Sequence, residues 1–456
     1  MTDFNTMLEN QRRFFRSGRT KDISFRIKQL NILKHAIVEN EEKIEQALYE
    51  DLRKAPYEAY LTEIGIVLDE IRHMAKKVRK WARPKRVSTP IYHFPAGSYI
   101  YPEPYGLALI ISPWNYPFQL AVAPLIAAMA AGNCAVIKPS ELSPHTSQVL
   151  FELIENYFDP GYISVVTGDA DASKALLAEK FDYIFFTGSP GVGKIIMKAA
   201  ANHLTPVTLE LGGKSPCIVD ADANVNLAAK RIVSGKFINA GQTCIAPDYL
   251  FVHQSVKEPL VDQMITYIEK FFGARSMENK NYPKIINQHH FERLTALTKD
   301  ATIMCGGDSD PDQQVIAPTL LSNVGWSHPS MQAEIFGPIL PVLEYDNLSE
   351  AIEKINDRPK PLALYLFSTN QNSIDRVLKE TSFGGGCVND TLIHFATPYL
   401  PFGGVGTSGM GSYHGKFGFD TFSHRKSVMK NTVRFDFPFR YPTFYKHIKL
   451  LKTVLR

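Results

Sequence analysis

Cysteine is scarce in this chain: five residues in 456, namely Cys134, Cys217, Cys244, Cys305 and Cys387, with no C-x-x-C pair among them. An odd, scattered set of this kind argues against a disulfide framework or a structural zinc site and for a reducing, cytoplasmic setting. A surplus of one charge is also lacking. Fifty Lys+Arg against 46 Asp+Glu leave +4, which gives no ground for a nucleic-acid partner. The N-terminus, Met-Thr-Asp-Phe-Asn, soon turns charged, so no secretory signal is expected. Nor is there an unbroken apolar run of membrane length, and no transmembrane anchor is expected. The uncharged stretch from Pro104 to Ile137 is interrupted by Pro113, Pro117 and Pro124 and holds Asn115, Gln119 and Asn133. A span needs about 20 residues of continuous helix, and proline removes a backbone donor. That stretch reads instead as a buried strand–turn–helix–strand. The remainder is ordinary, 45% hydrophobic and 21% charged, the composition of a globular chain of two or three domains.

The first 80 residues read as helical. Tyr60, Ile64, Val67, Ile71, Met74 and Val78 recur at steps of four and three, one apolar face of a long helix that Pro56 opens. The basic run from Lys76 to Arg86 reads as a solvated helix end entering a linker. Residues 88–104, rich in proline, aromatics and β-branched side chains, read as an extended arm. From Tyr105 the pattern becomes βαβ. Short apolar runs at 107–111, 135–137, 163–166, 183–186 and 207–209 alternate with helices at about 117–131 (capped by Gly132), from Ser143 as cap, at 172–179 and at 192–201. Strands that are unbroken apolar runs between helices belong to a parallel sheet covered on both faces. The expected fold class is therefore α/β: a doubly wound, parallel-sheet, Rossmann-like cofactor domain (1–87 and 105–209), a second α/β catalytic domain (210–410), and an oligomerisation arm with a C-terminal tail (88–104 and 411–456). The tail beyond Gly411 reads as extended. It closes on a short basic amphipathic piece, 445–456, in which Lys446, Lys449 and Lys452 alternate with Ile448, Leu451 and Leu455.

Several short segments could carry chemistry. Gly188-Ser189-Pro190-Gly191-Val192-Gly193-Lys194 has the glycine spacing of a phosphate loop, but Ile195 stands where a Mg²⁺-binding hydroxyl would be needed. A P-loop reading is thus disfavoured, whereas a strand–glycine–helix turn still offers backbone N–H groups to a pyrophosphate. A plain tight turn would look the same. Cys244 follows a small-residue turn, Gly241-Gln242-Thr243, and a reactive thiolate needs that kind of exposure; most single cysteines are inert. Glu210 sits between two leucines before Gly212-Gly213. Apolar surroundings raise a carboxylic acid's pKa and suit it to act as a general base, though a strand-end glutamate needs no such role. Asn115 lies just past the first strand's carboxyl end, where ligands of open α/β sheets bind, and its amide could donate to an oxyanion. Lys138 and Glu141 follow the second strand and could hold ribose hydroxyls. Glu334 beside Phe336 suits a sugar and a flat ring.

Taken in order, Pro113-Trp114-Asn115-Tyr116-Pro117, Lys138-Pro139-Ser140-Glu141, Phe186-Thr187-Gly188, Leu209-Glu210-Leu211-Gly212-Gly213, Gly241-Gln242-Thr243-Cys244, Glu334-Ile335-Phe336-Gly337-Pro338 and Pro401-Phe402-Gly403-Gly404 carry a resemblance. The chain resembles the aldehyde dehydrogenase superfamily, and most closely its class 3 branch, from about residue 5 to residue 430. The resemblance implies oxidation of an aldehyde to an acid with NAD or NADP, without a metal. Cys244 would be the nucleophile, Glu210 the base, and Asn115 with the Cys244 N–H the oxyanion hole. Lys138 and Glu141 would meet the adenosine ribose, residues Gly188 to Gly193 the pyrophosphate, and Glu334 with Phe336 the nicotinamide end. An acidic Glu141 implies that NAD is preferred. The branch also implies a homodimer, with weak membrane-surface contact of the tail as an alternative to capping the substrate entrance. A CoA-acylating relative would not need Glu210, which argues against that reading.

Overall fold

The structure is a computed structural model that describes residues 4–437, 441–442 and 448–454. Its largest elements are two mostly parallel sheets. The first runs in the order Gly409–Met410, Val207–Leu211, Tyr183–Gly188, Leu107–Ile111, Cys134–Lys138, Ile163–Val165, all parallel except the short first strand. Every residue of Leu107–Ile111 and Cys134–Lys138 is buried, as both-face coverage requires. The uncharged stretch is explained by the helix Gln119–Ala131, all of whose residues are buried. A helix apolar all round belongs inside a protein. Gly132, at φ 97°, closes it in the left-handed conformation that glycine tolerates. Among the described residues no helix is long and apolar enough to cross a membrane.

The second sheet runs Thr302–Cys305, Thr319–Ser322, Ile339–Tyr345, Tyr249–His253, Pro216–Val219, Ala363–Phe367, Gly385–Val388, with only the first strand antiparallel. A third, antiparallel sheet joins Lys85–Val87 and Gly97–Pro104 to Ser423–Lys430, eight residues of register from Ser423↔Pro104 to Lys430↔Gly97. The arm and part of the tail thus make one ribbon.

Three expectations are corrected. Tyr60 is 45% exposed although Ile64, Val67, Ile71, Met74 and Val78 are fully buried. The helix runs through a π turn at Tyr60–Ile64 between Pro56–Ala59 and Gly65–Trp81. One turn closed by i→i+5 bonds takes up extra residues and shifts the phase, taking Tyr60 off the apolar face and bringing Ala59 and Glu63 in. Ser143 does not cap the helix Pro144–Tyr157 with its side chain; the carboxylate of Asp51, from the end of Glu41–Leu52, accepts from the N–H groups of His145 and Thr146 at 3.2 and 2.8 Å. The tail is not wholly extended, since Gly415–Thr421 is helical and packs on the buried helix. Gly418 permits that packing, for a Cβ there would stand 3.0 Å from the Ala127 Cβ. Of the basic terminal piece, Ile448–Val454 is helical with Ile448, Lys449 and Lys452 exposed; Lys446 and Leu455 lie outside the described residues.

Candidate active site

Carboxyl ends of parallel strands deliver the site. Leu107–Ile111 leads into Trp114 and Asn115, Cys134–Lys138 into Ser140 and Glu141, and Tyr183–Gly188 into the helix Pro190–Ala201. Glu210 lies on Val207–Leu211, in register with Thr187. These segments, with the Cys244 turn and the Glu334–Phe336 loop, line one cavity of about 990 Å³. Asn115, Glu141, Gly188, Ser189, Val192, Glu210, Cys244, Glu334 and Phe336 are all on its wall. Lys138, Pro190, Gly191 and Gly193 are not. The Lys138 side chain is buried behind the wall, donating to the Pro139 carbonyl at 2.7 Å and standing 3.8 Å from the Glu141 carboxylate. Gly193 serves helix–sheet packing: a Cβ there would lie 2.7 Å from Leu211 Cδ2.

The Cys244 turn is tightly built. After Val225–Phe237, residues Asn239, Ala240 and Gly241 have φ of 52°, 49° and 71°, three left-handed residues in succession. At Gly241 a Cβ would fall 2.2 Å from the Gly337 carbonyl oxygen, so the turn presses against the Glu334–Pro338 loop. Asn115 binds across to the turn, its Nδ2 donating to the Gln242 carbonyl at 3.0 Å. A primary amide has two N–H groups, which leaves one for a ligand. The Tyr116 hydroxyl meets Thr243 Oγ1 at 2.6 Å. Burial, then the nearby charges of Glu334 and Glu210, push the Cys244 thiol up, while the neighbouring N–H groups of Cys244 and Ile245 oppose the shift.

Glu210 is buried with neither carboxyl oxygen hydrogen-bonded, and burial alone raises its pKa well above the ordinary value. That is the setting of a proton acceptor waiting for a partner. Glu334 is likewise pushed up by burial and by Asp248, with Oε1 unpartnered. It lies over the glycine pair after Glu210: a Cβ on Gly212 would sit 2.0 Å from Glu334 Oε2. Phe336, at φ 51°, meets Trp114 edge to face with centroids 5.3 Å apart.

Sequence reasoning missed several residues. Trp114, Tyr116 and Tyr413 line the cavity, as do His290 and Arg293. Burial holds His290 down to about 4. Lys236, eight residues before Cys244 at the end of Val225–Phe237, is fully buried with no partner for Nζ, and burial lowers its pKa to about 8 despite Asp248 and Glu334. The tight turns and aromatic neighbours could have flagged Trp114 and Tyr116. Nothing local marks Lys236 or His290.

The wall fits a dinucleotide. Glu334 Oε1 has no partner and can accept from a ribose hydroxyl, and the helix Pro190–Ala201, capped by Ser189 Oγ on the Val192 N–H, turns its N-terminus to the cavity, where a pyrophosphate is favoured. A thiol, a free carboxyl and an amide donor beside it are a set suited to acyl chemistry at an aldehyde carbon.

Comparison with known proteins agrees. The sequence pattern described as the aldehyde dehydrogenase family matches residues 1–428. A 4,4'-diaponeurosporen-aldehyde dehydrogenase of Staphylococcus aureus is 51% identical over 445 residues, 97% of each chain. A mouse protein named aldehyde dehydrogenase, dimeric NADP-preferring, is 45% identical, covering 95% of this chain and 96% of its own. The solved substrate-bound state of Staphylococcus aureus AldH superposes with a TM-score of 0.98 at 50% identity, covering both chains completely.

Proposed function

The chain belongs to the aldehyde dehydrogenase family, on its class 3 side, and is an NAD(P)-dependent aldehyde oxidoreductase; on that premise we propose that Cys244 is its nucleophile, Glu210 its general base and Asn115 its oxyanion donor. The observation that carries this reading is the convergence of the three, from separate elements, on one cavity in which both Glu210 oxygens are unpartnered. Cys244 Sγ releases its proton to solvent water and bonds to the aldehyde carbon. The charge that gathers on the aldehyde oxygen is met by the second Asn115 N–H and by the Cys244 N–H. A nicotinamide, when bound, supplies the hydride acceptor; Glu334, Glu141 and the Ser189 helix terminus would hold the rest of that dinucleotide. Cys244 then carries a thioester. Glu210 takes a proton from water, the water oxygen attacks the thioester carbon, and the acid leaves as the thiol re-forms.

The substrate end of the wall is apolar, with Leu61, Ile66, Leu120, Ile238, Leu392 and Phe395, which supports an apolar aldehyde of some length. Glu141 on the wall supports NAD preference, since a carboxylate accepts from a 2′-hydroxyl and repels a 2′-phosphate; we expect NADP to be used as well. A cytoplasmic homodimer is supported by five free cysteines and by the outer edge of Ser423–Lys430, which pairs with no further strand among the described residues. Light scattering that returned a single 51.2 kDa species would overturn the dimer. The central test is Cys244→Ala. It should abolish aldehyde oxidation while NAD binding, read by fluorescence, stays within about twofold; measurable turnover would remove Cys244 from the mechanism.

A further inference from the structure

We propose that Lys54, Glu63 and Glu58, none of which lines the cavity, form a clamp behind it that positions Asn115 and the Cys244 turn for oxyanion stabilisation. The proposal rests on the roles given above to Asn115 and Cys244. Lys54 and Glu63 are fully buried and paired, with Nζ 2.5 Å from Glu63 Oε1. A buried pair of this kind is weak evidence of stability, because desolvation offsets its attraction, and its other contacts must be sought. Lys54 Nζ also donates to the Asn115 carbonyl at 2.8 Å and lies 4.0 Å over the Tyr116 ring. Glu63 Oε2 accepts from the N–H groups of Phe118 and Gln119 at 2.9 and 3.0 Å. The pair therefore grips residues 115–119 at both ends of the turn that presents Asn115.

The clamp's other jaw reaches the nucleophile. Glu58 Oε1 accepts from the Asn239 N–H at 2.8 Å, in the left-handed stretch before Cys244. Asn239 Nδ2 in turn donates to the Asn115 carbonyl at 2.8 Å and to the Gln242 carbonyl at 3.1 Å. Both lone pairs of the Asn115 carbonyl are thus taken, one by Lys54 and one by Asn239. The peptide between Asn115 and Tyr116 cannot rotate without breaking one of them. That plane sets the direction of the Asn115 side chain, and through Tyr116 and Thr243 it is tied again to the residue beside Cys244. The π turn at Tyr60–Ile64 is what turns Glu63 inward, so the helix irregularity has a use. These are positioning residues. They act through Asn115 and the turn, and a shift of about 1 Å at a reacting group is enough to cost about 100-fold.

The test is the Lys54→Met/Glu63→Gln double variant, which keeps the pair neutral. Stopped-flow NADH formation in the first turnover reads acylation, and NAD affinity and thermal melting are read beside it. We expect the burst rate to fall about 10- to 100-fold, with NAD affinity and melting near wild type. Asn115→Ala in the same assay should lose about 100- to 1,000-fold, and adding the double variant to it should cost nothing further, because both remove one function. Losses that multiply, or a double variant with a wild-type burst beside a slow Asn115→Ala, would overturn the clamp alone. An unimpaired Asn115→Ala would overturn the oxyanion reading, and the clamp with it. Should the double variant fail to fold, Glu58→Ala decides. It removes only the acceptor for the Asn239 N–H; a burst slowed about tenfold supports the clamp, and an unchanged one refutes it.

Discussion

Replacing Glu210 with glutamine should separate the two halves of the proposed reaction. The carboxyl group is buried and neither oxygen is hydrogen-bonded, so the amide, of equal size, breaks no bond and folding stability should change by less than about 1 kcal/mol. The chemical cost is larger. Other titratable groups on the wall are poor substitutes: Glu334 is held against Gly212 and bonded by the Gly213 N–H, and His290 stands against Trp114. Loss of a general base costs about 10²- to 10⁴-fold, or about 3–5 kcal/mol of barrier. The cost should fall on thioester hydrolysis, because addition of Cys244 and departure of hydride need no activated water. Stopped-flow absorbance should therefore show an NADH burst close to the enzyme concentration, followed by a steady state slower by that factor. The pH profile gives an independent reading. A base works ionised, and burial raises the Glu210 pKa, so wild-type kcat should climb with pH well above the ordinary carboxylate range, whereas the variant should lose that limb. A variant with a steady state within threefold of wild type, or one that loses burst and steady state equally, would refute the assignment.

Two further outcomes are expected. Glu141→Gln should raise kcat/KM for NADP relative to NAD, since the carboxylate proposed to repel a 2′-phosphate is gone; an unchanged ratio would show that Glu141 does not meet the adenosine ribose. Glu70 is buried and its pKa is raised to about 7, chiefly by burial, against the stabilising Gly415 N–H. A raised acid favours the folded state only while protonated, so its contribution is full below about pH 4.5 and is lost as pH rises through 7, a swing of up to about 3 kcal/mol. The melting temperature of wild type minus that of Glu70→Gln should accordingly fall between pH 5 and pH 8; a flat difference would contradict the burial argument.

The parallel strands were legible because burial on both faces leaves them as continuous apolar runs, and Leu107–Ile111, Tyr183–Gly188 and Tyr249–His253 stand where the runs lie. Capping by a distant residue was not legible. Asp51 and His145 are 94 positions apart, and the local Ser143-Pro144 signal pointed to a side-chain bond that does not form. The Gly415–Thr421 helix was hidden by its own composition, glycine and aromatics with poor helix propensity, and is stabilised by packing on Ala127 and Met74. At the site, each motif was readable alone because tight turns and strand ends restrict residue type. Their convergence was not, and Lys54, Glu63, Lys236 and His290 carry no local sign, since their significance comes from burial and from partners far along the chain.

Several unfavourable features lie together around Cys244. Asn239 and Ala240 hold left-handed backbone, at about 1–3 kcal/mol each. Glu210, Glu334 and Lys236 all bury polar atoms without partners. A chain selected for stability alone would relax each of these, and most are removable by one substitution. They persist because the surroundings over-determine them: Glu58 and Asn239 fix the turn, Gly241 allows the approach to Gly337, and Gly212 makes room for Glu334. Such a site has its donors and acceptors aimed before a ligand arrives, so no reorganisation is left for the moment of reaction. The same logic separates two kinds of damage. Glu210→Gln should remove chemistry while breaking no hydrogen bond, whereas breaking the Lys54–Glu63 pair one partner at a time strands a buried charge, at about 3–5 kcal/mol. Activity and stability should therefore part company at Glu210 and fall together in the single Lys54 or Glu63 variants, which is why the clamp is best probed by changing both residues at once.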